Sequence, residues 1–328
     1  MNKSISCGTF HSVALKEDGT IECWGDNTRN QCDPVYKTFE CVIQVFCGSH
    51  HSVVLFKDGT LECWGDNSWN QCDPVYKTFT NVISVACGCR HSVALKEDGT
   101  IECWGSLQYK QCDPVYKSFT GVIKIYCKKY HSVALKNDGT IECWGDNRFN
   151  QCDQVYKTFT NIINIACRSY HSVALRDDGT IVCWGYTEKE NYKTFTCVID
   201  IACGDHNSVA LRNDGTLECW GGNNQNRCNP EYKNFTSVIN IACGDYHSVA
   251  LLEDGTIECW GSNLDNQCDL LYKTFECVID VACGDYHSVV LRDDGTIECF
   301  GDNSFNQCDS VYESFTNIRV PNPYYILK

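Results

Sequence analysis

Proline is scarce in this chain of 328 residues, with 6 copies, methionine occurs once, and no apolar run approaches the roughly 20 residues needed to span a bilayer. No early stretch joins a basic start to an apolar core and a small-residue cleavage site. The expectation is therefore an intracellular protein, neither secreted nor membrane-bound. Apolar spacing at i, i+3, i+4 and i+7 is never sustained, which excludes long amphipathic helices. Basic charge is short as well: 27 Lys and Arg face 42 Asp and Glu, for a net charge of −15. DNA binding is not expected, because affinity for phosphates comes mainly from Lys and Arg. Linkers rich in Pro or Ser are absent, so residues 1–328 read as one domain.

What is present is repetition. The stretch HSVALKEDGTIECWG at 11–25 returns in close copies that start at 51, 91, 131, 171, 207, 247 and 287. Six of the steps are 40 residues and one is 36. A period of this size marks a solenoid, a propeller or an array.

Within the unit, two short apolar segments flank an Asp-Gly turn, which is a hairpin signal. With Gly19 at positive φ, Leu15 faces Ile21 and Val13 faces Cys23, while Ala14 and Trp24 point to the other side. Both faces are apolar, so each sheet must be covered on both sides. A run such as VIQVFCG (42–48) reads as a third strand, and the segment around QCD (31–33) as a weaker fourth. SISCG (4–8) matches the end of that third strand and FTNIRV (315–320) its beginning. Termini 1–10 and 315–328 are thus the expected closure of the ring.

IACGDYHSVALLEDGTIECWGSNLDNQCD (241–269) resembles the repeat of the regulator of chromosome condensation family, V-x-C-G-x-x-H-S-x-A-L followed by W-G-x-N and G-Q-L-G. The resemblance runs over essentially the whole chain. It implies an all-β propeller, usually of seven blades; eight full units here predict eight, with seven as the alternative. Gln-Cys-Asp stands where the family has Gln-Leu-Gly. Family members include a nucleotide exchange factor for a small GTPase that also sits on nucleosomes, acting through an inserted β-wedge and a basic tail. No loop between the copies is long enough for such a wedge. A light-sensing member uses clustered tryptophans, but Gly88-Cys89-Arg90-His91-Ser92 lacks the tryptophan.

The repeated His11, His51, His91, His131, His171, His247 and His287, with Asn207 in the remaining copy, read as buried rings tying down neighbouring backbone, since a motif copied around a ring is scaffold more often than active site. Seven of the 8 tryptophans share one place, with Phe300 in the last copy, and are expected between blades. No catalytic residue and no cofactor is expected. Cysteine numbers 27. Two repeated classes read as reduced, buried side chains, while the QC turns allow disulfides Cys23–Cys32, Cys63–Cys72, Cys103–Cys112, Cys143–Cys152, Cys219–Cys228, Cys259–Cys268 and Cys299–Cys308. A disulfide framework is not the default without a signal peptide. Cys7, His11, Cys23 and Cys32 can be written as a zinc set, but the CxxC pairs that make such sites convincing are missing.

For recognition, Glu22, Glu62, Glu102, Glu142, Glu218, Glu258 and Glu298 recur at one place, predicting an acidic rim that attracts a basic protein segment. Lysines of the Tyr-Lys segment, such as Lys37, Lys77 and Lys193, form a weaker basic belt. The turns after Trp-Gly vary most, and Trp69, Tyr109, Phe149 and Phe305 occupy matching places in them. The reading is a non-enzymatic interaction scaffold for a protein partner. Its alternatives are an exchange factor for a small GTPase and a structural component of a virion or other large assembly. The near-identical repeats and the Asn/Ile/Lys/Tyr-rich composition resemble recent duplication in an AT-rich genome, as in large DNA viruses that carry members of this family.

Overall fold

The structure, a computed structural model, describes residues 4–33, 39–186, 195–222, 226–228, 234–269, 275–309 and 315–320. Each repeat folds into a three-stranded antiparallel sheet, and eight such sheets follow one another as blades. In the second blade an inner strand, Val42–Cys47, pairs with a middle strand, His51–Phe56, which pairs with an outer strand, Leu61–Gly65. The hairpin register is the expected one: Leu15 lies opposite Ile21, Val13 opposite Cys23 and Ala14 opposite Glu22. Gly19 takes a φ of 85° at the turn.

The cores lie between the sheets. Val53 and Leu55 on one face of the second blade's middle strand pack with Val82, Val85 and Trp104 of the third blade. Val54, on the other face, packs with Val13, Leu15 and Ile21 of the first. The last such cluster joins Val289, Leu291 and Ile297 of the eighth blade to Ile5, Ala14 and Trp24 of the first, so the wheel is closed. Inner strands touch their neighbours all the way round.

Residues 5–7 and Ile318 meet at that closure and share one strand position. Ile5–Cys7 is the inner strand of the first blade, and Ile318 extends it by bridging to Lys16. The amide of Ile318 donates to the Gly295 carbonyl at 3.0 Å, as the amide of Val42 does to Gly19 at 3.0 Å. The strand edge that an open ring would expose is thereby filled from both sides. Residues 321–328 lie outside the described residues.

The weaker fourth strand does not form among the described residues. The Cys72 amide donates to the Asn67 side chain at 2.9 Å, and the segment that follows is a 3-10 turn, Pro74–Thr78, capped by Asp73. Proline has no N–H for a ladder and its fixed φ suits the start of a helical turn, so the chain turns here instead of pairing.

Candidate functional site

Antiparallel topology sends the loop between inner and middle strands (48–50 in the second blade) and the turn after the outer strand (66–73) to one face of the ring. The Asp-Gly hairpins emerge on the other. On the first face the repeated residues lock blade to blade. His11 Nε2 meets Ser52 Oγ of the next blade at 2.9 Å, His51 meets Ser92 at 2.7 Å, and His91, His131 and His171 meet Ser132, Ser172 and Ser208 at 2.8 Å each. Asn207 donates to Ser248 at 3.3 Å, and His247–Ser288 and His287–Ser12, both 2.7 Å, complete the circle. The histidines are buried as expected, but through Nε2 they hold the neighbouring blade's serine hydroxyl rather than the backbone that the sequence suggested. A side chain at Gly48 would collide with the His51 ring and the Gly88 carbonyl, so glycine is needed there. Burial pushes the imidazoles down, to about 3 at His11, His91 and His247 and about 4 at His51, His131, His171 and His287.

The turn after Trp-Gly is built by a side-chain code. In the second blade Gln71 accepts from the Trp69 amide at 2.8 Å and donates to Asp66 at 3.1 Å, while Asp66 accepts from the Ser68 amide. Asn70 takes a φ of 63°, in the region Asn tolerates. The Gln71 carbonyl then accepts from Trp104 Nε1 of the next blade at 2.8 Å, and Trp64 bonds Gln31 in the same way at 2.8 Å. Residues that look like generic turn formers therefore seat each blade on its neighbour.

These turns carry the sequence-predicted aromatics, and each leans onto the loop of the following blade. Trp69 lies under Arg90 at 4.4 Å, Tyr109 packs on Tyr130 at 5.3 Å, Phe149 on Tyr170 at 5.0 Å and Phe305 on Phe10 at 4.9 Å. Arg148 covers Tyr109 at 4.1 Å, and Phe10, Tyr286 and Tyr246 stack in series at 5.3 and 5.2 Å. Trp69, Phe149 and Phe305 remain 37–40% exposed. The loop partners, at the second position after Cys-Gly, escaped the sequence reading. Their signal was the variation Phe10, His50, Arg90, Tyr130, Tyr170, His206, Tyr246, Tyr286 inside an otherwise constant motif. The predicted turns at 187–190 and 223–225 lie outside the described residues.

A second missed feature crosses the axis of the ring. Lys128 and Arg168 stand where the other six repeats have glycine, and Asp205, Asp245 and Asp285 follow the glycine in the last three. Arg168 Nε reaches Asp245 at 2.7 Å and its Nη2 reaches Asp285 at 3.2 Å. Lys129 bridges Asp205 at 2.7 Å and Asp245 at 2.8 Å, and Lys128 of the fourth blade comes within 4.0 Å of Asp285 of the eighth. Burial would raise the Asp245 carboxyl, but Arg168, then Lys129 and Lys128, overcome it and hold it well below the usual carboxylate range. Asp205 is pushed up instead, by burial and then by Asp245.

Of the predicted rim, Glu22 contacts Lys16, Glu62 contacts Lys77, Glu218 contacts Arg212 and Glu298 contacts Arg292. Arg212 and Arg292 end the paired middle strands and Lys16 follows one, while Lys77 is the one of these four partners that belongs to the Tyr-Lys belt; each offsets its glutamate. Further acidity gathers on the hairpin face, where Asp18, Asp58, Asp98 and their equivalents bond the Thr two residues on, and Asp138 also pairs with Lys136 at 3.9 Å. Lys37, Lys193, Lys233 and Lys273 lie outside the described residues. Among the described residues no group of three or more His, Cys, Asp or Glu converges as metal ligands, and no helix is long and apolar enough to cross a membrane. Cys23 meets Cys32 at 2.9 Å, Cys63 meets Cys72 at 2.8 Å and Cys103 meets Cys112 at 2.6 Å, while Cys219–Cys228, Cys259–Cys268 and Cys299–Cys308 are joined.

The Regulator of chromosome condensation (RCC1) repeat matches eight times, at residues 3–31, 42–71, 82–111, 122–151, 162–189, 198–227, 238–267 and 278–307. The chain belongs to this repeat family. No curated protein matches the sequence. Solved RCC1-repeat-like propellers include Prp20p from Saccharomyces cerevisiae, described with its binding to Gsp1p and histones, at 19% identity over 92% of this chain and 83% of that one, with a TM-score of 0.55. The ectodomain of the receptor kinase CR4 from Physcomitrella patens aligns at 17% identity over 79% of this chain and 74% of that one, TM-score 0.59. The ectodomain of the Arabidopsis thaliana receptor kinase ACR4 aligns at 17% identity over 92% and 95%, TM-score 0.56. At such identities the RCC1-repeat fold is what is shared.

Proposed function

We propose that this RCC1-repeat propeller is a non-enzymatic interaction scaffold that binds a protein partner on the face formed by the loops and the Trp-Gly turns. The observation that carries the reading is the half-exposed aromatic and arginine arcs of Trp69–Arg90–Tyr130 and Tyr109–Arg148, with Phe149–Tyr170 beside them. They differ from blade to blade while the scaffold beneath them repeats. Flat, pre-stacked aromatic and Arg side chains lose little entropy on binding and are the residue types that dominate binding energy at interfaces. The partner's matching surface is apolar at its centre.

A triple variant, Trp69→Ser, Tyr109→Ser and Phe149→Ser, tests this against the wild-type chain as bait, with urea unfolding as the control for an intact ring. A protein held by the wild type and lost by the variant supports the reading; a partner held equally by both removes it. Exchange activity on a small GTPase, the activity nearest to the binding described for Prp20p, is separated by nucleotide release. Acceleration well above the intrinsic rate by this chain would replace the scaffold reading with the exchange one.

A further inference from the structure

We infer that the seven pairs formed by an outer-strand cysteine and the cysteine of the following QC turn are thiol–disulfide staples, whose redox state sets how firmly the recognition turns are held; this rests on the docking role proposed for those turns. Every pair closes the same loop. In the second blade the loop runs from Cys63 to Cys72 and carries Trp69; in the third, from Cys103 to Cys112, it carries Tyr109. Sequence separation is 9 and the Cα atoms lie 5.0–5.5 Å apart in the joined pairs, within the span a disulfide bridges. Three of the remaining four pairs have thiol contacts of 2.6–2.9 Å at the same place, so in them the second sulfur already stands within reach of the first.

In the second blade the two thiols of the pair are not equivalent. Cys63 is buried, donates to the Gln71 carbonyl at 3.2 Å and has its thiol pushed up by burial, whereas Cys72 is partly exposed. The more exposed thiol, Cys72, therefore reacts first. As a thiolate, Cys72 attacks a low-molecular-weight disulfide R–S–S–R; its S–S bond breaks, a mixed disulfide forms and one R–S⁻ leaves and takes up a proton. Cys63 then gives its proton to solvent and attacks the Cys72 sulfur, expelling the second R–S⁻. Two thiols are oxidised and two R–SH are produced, so the exchange balances and reverses in excess thiol. Because the bonded turn also presents the Gln71 carbonyl to Trp104 of the next blade, a staple stiffens the tip and the blade junction together. The fifth blade is a built-in comparison: Cys183 has no cysteine in the QC position after it.

The experiment equilibrates the full chain in glutathione buffers from fully reduced to fully oxidised, quenches it in acid, alkylates it, and maps the linkages by mass spectrometry, with hydrogen exchange read on the same samples. The expected result is Cys23–Cys32 and its six counterparts bridged under oxidising conditions, with Cys183 free and exchange of turn 64–72 slowed about tenfold or more. In the double variant Cys63→Ser, Cys72→Ser, the second-blade turn should exchange at the reduced rate in every buffer while the third-blade turn keeps its redox dependence, which controls for folding within one molecule. Free thiols at every oxidised ratio, other pairings, or turn exchange indifferent to bridging would overturn the inference. Staples that form and slow the turns while the triple tip variant still holds the partner would sink only the docking reading.

Discussion

Acid should dismantle this ring well above the range in which carboxylates titrate. Seven imidazoles sit buried in the circle of His–Ser contacts, a histidine belt that joins blade to blade, and are held near 3 to 4 in the folded chain, chiefly by desolvation. In the unfolded chain each regains a value of about 6.5. The folded state therefore keeps them neutral while the unfolded state binds protons, so the stability is fully present above about pH 6.5 and is lost as pH falls from there toward 4. At pH 5.5 each histidine favours unfolding by about 1.4 kcal/mol, and seven together by about 10 kcal/mol. That is comparable to the whole stability of an ordinary domain, about 5–15 kcal/mol. Asp200 and Asp205, pushed up by burial, work in the opposite direction, but they are two against seven.

The assay is urea unfolding by tryptophan fluorescence at pH 8, 7, 6 and 5.5 in the presence of a reductant, with the slope of the unfolding free energy against pH read as protons taken up. The expected uptake approaches seven near pH 5.5. His131→Asn, which copies the natural Asn207–Ser248 contact, should remove one proton from the slope and be worth about 1.4 kcal/mol less acid sensitivity at pH 5.5. An uptake below about two protons between pH 6.5 and 5 would mean that the belt is open to water or already charged, and the account of it would be wrong.

Arg168→Met should destabilise the ring by about 3 kcal/mol, read from the urea midpoint, because Asp245 and Asp285 lose the buried guanidinium they share and keep only Lys129 and Lys128 as cations among the described residues. Trp144→Phe should cost about 1 kcal/mol by taking the indole donor from the Gln111 carbonyl and leaving it the weaker Cys103 thiol, whereas Phe300→Trp should gain up to about 1 kcal/mol by supplying the eighth blade with an indole N–H such as Trp64 and Trp104 use. Partner binding on the loop-and-turn face should weaken less than about threefold between 50 and 500 mM salt, measured by calorimetry, since its aromatic arcs surround cations and carboxylates that balance one another. A steep fall with salt would instead direct attention to the acidic hairpin face.

Fold and blade number were legible because every blade solves the same packing problem with the same residues: Val53, Leu55 and Trp104 meet in one cluster, and Val93, Leu95 and Trp144 repeat it one step on. Local period implies neighbouring sheets, and neighbouring sheets imply a wheel. The fourth strand was misread for a local reason, since a side-chain amide at Asn67 competes for the Cys72 N–H and nothing in apolar patterning reports that competition. The histidine belt was half legible: burial followed from its repetition, but its partner lies 41 residues on in most blades, beyond any pattern within one unit.

The cross-axis cluster was illegible for a different reason. Lys128 and Asp285 become neighbours only because eight blades place the fourth opposite the eighth, so the contact depends on the closure it helps to hold. Its trace in the sequence is the loss of symmetry, with lysine and arginine where glycine repeats and aspartate in three units out of eight. The same holds for the loop positions under Trp69, Tyr109 and Phe149. In a chain assembled from near copies, a residue that every blade shares is accounted for by the junction it makes with the next blade. What one blade has and its neighbours lack falls into two sets: the cross-axis ion pairs, which serve the closed ring as a whole, and the unlike loop and turn tips, where the proposed scaffold would carry its specificity.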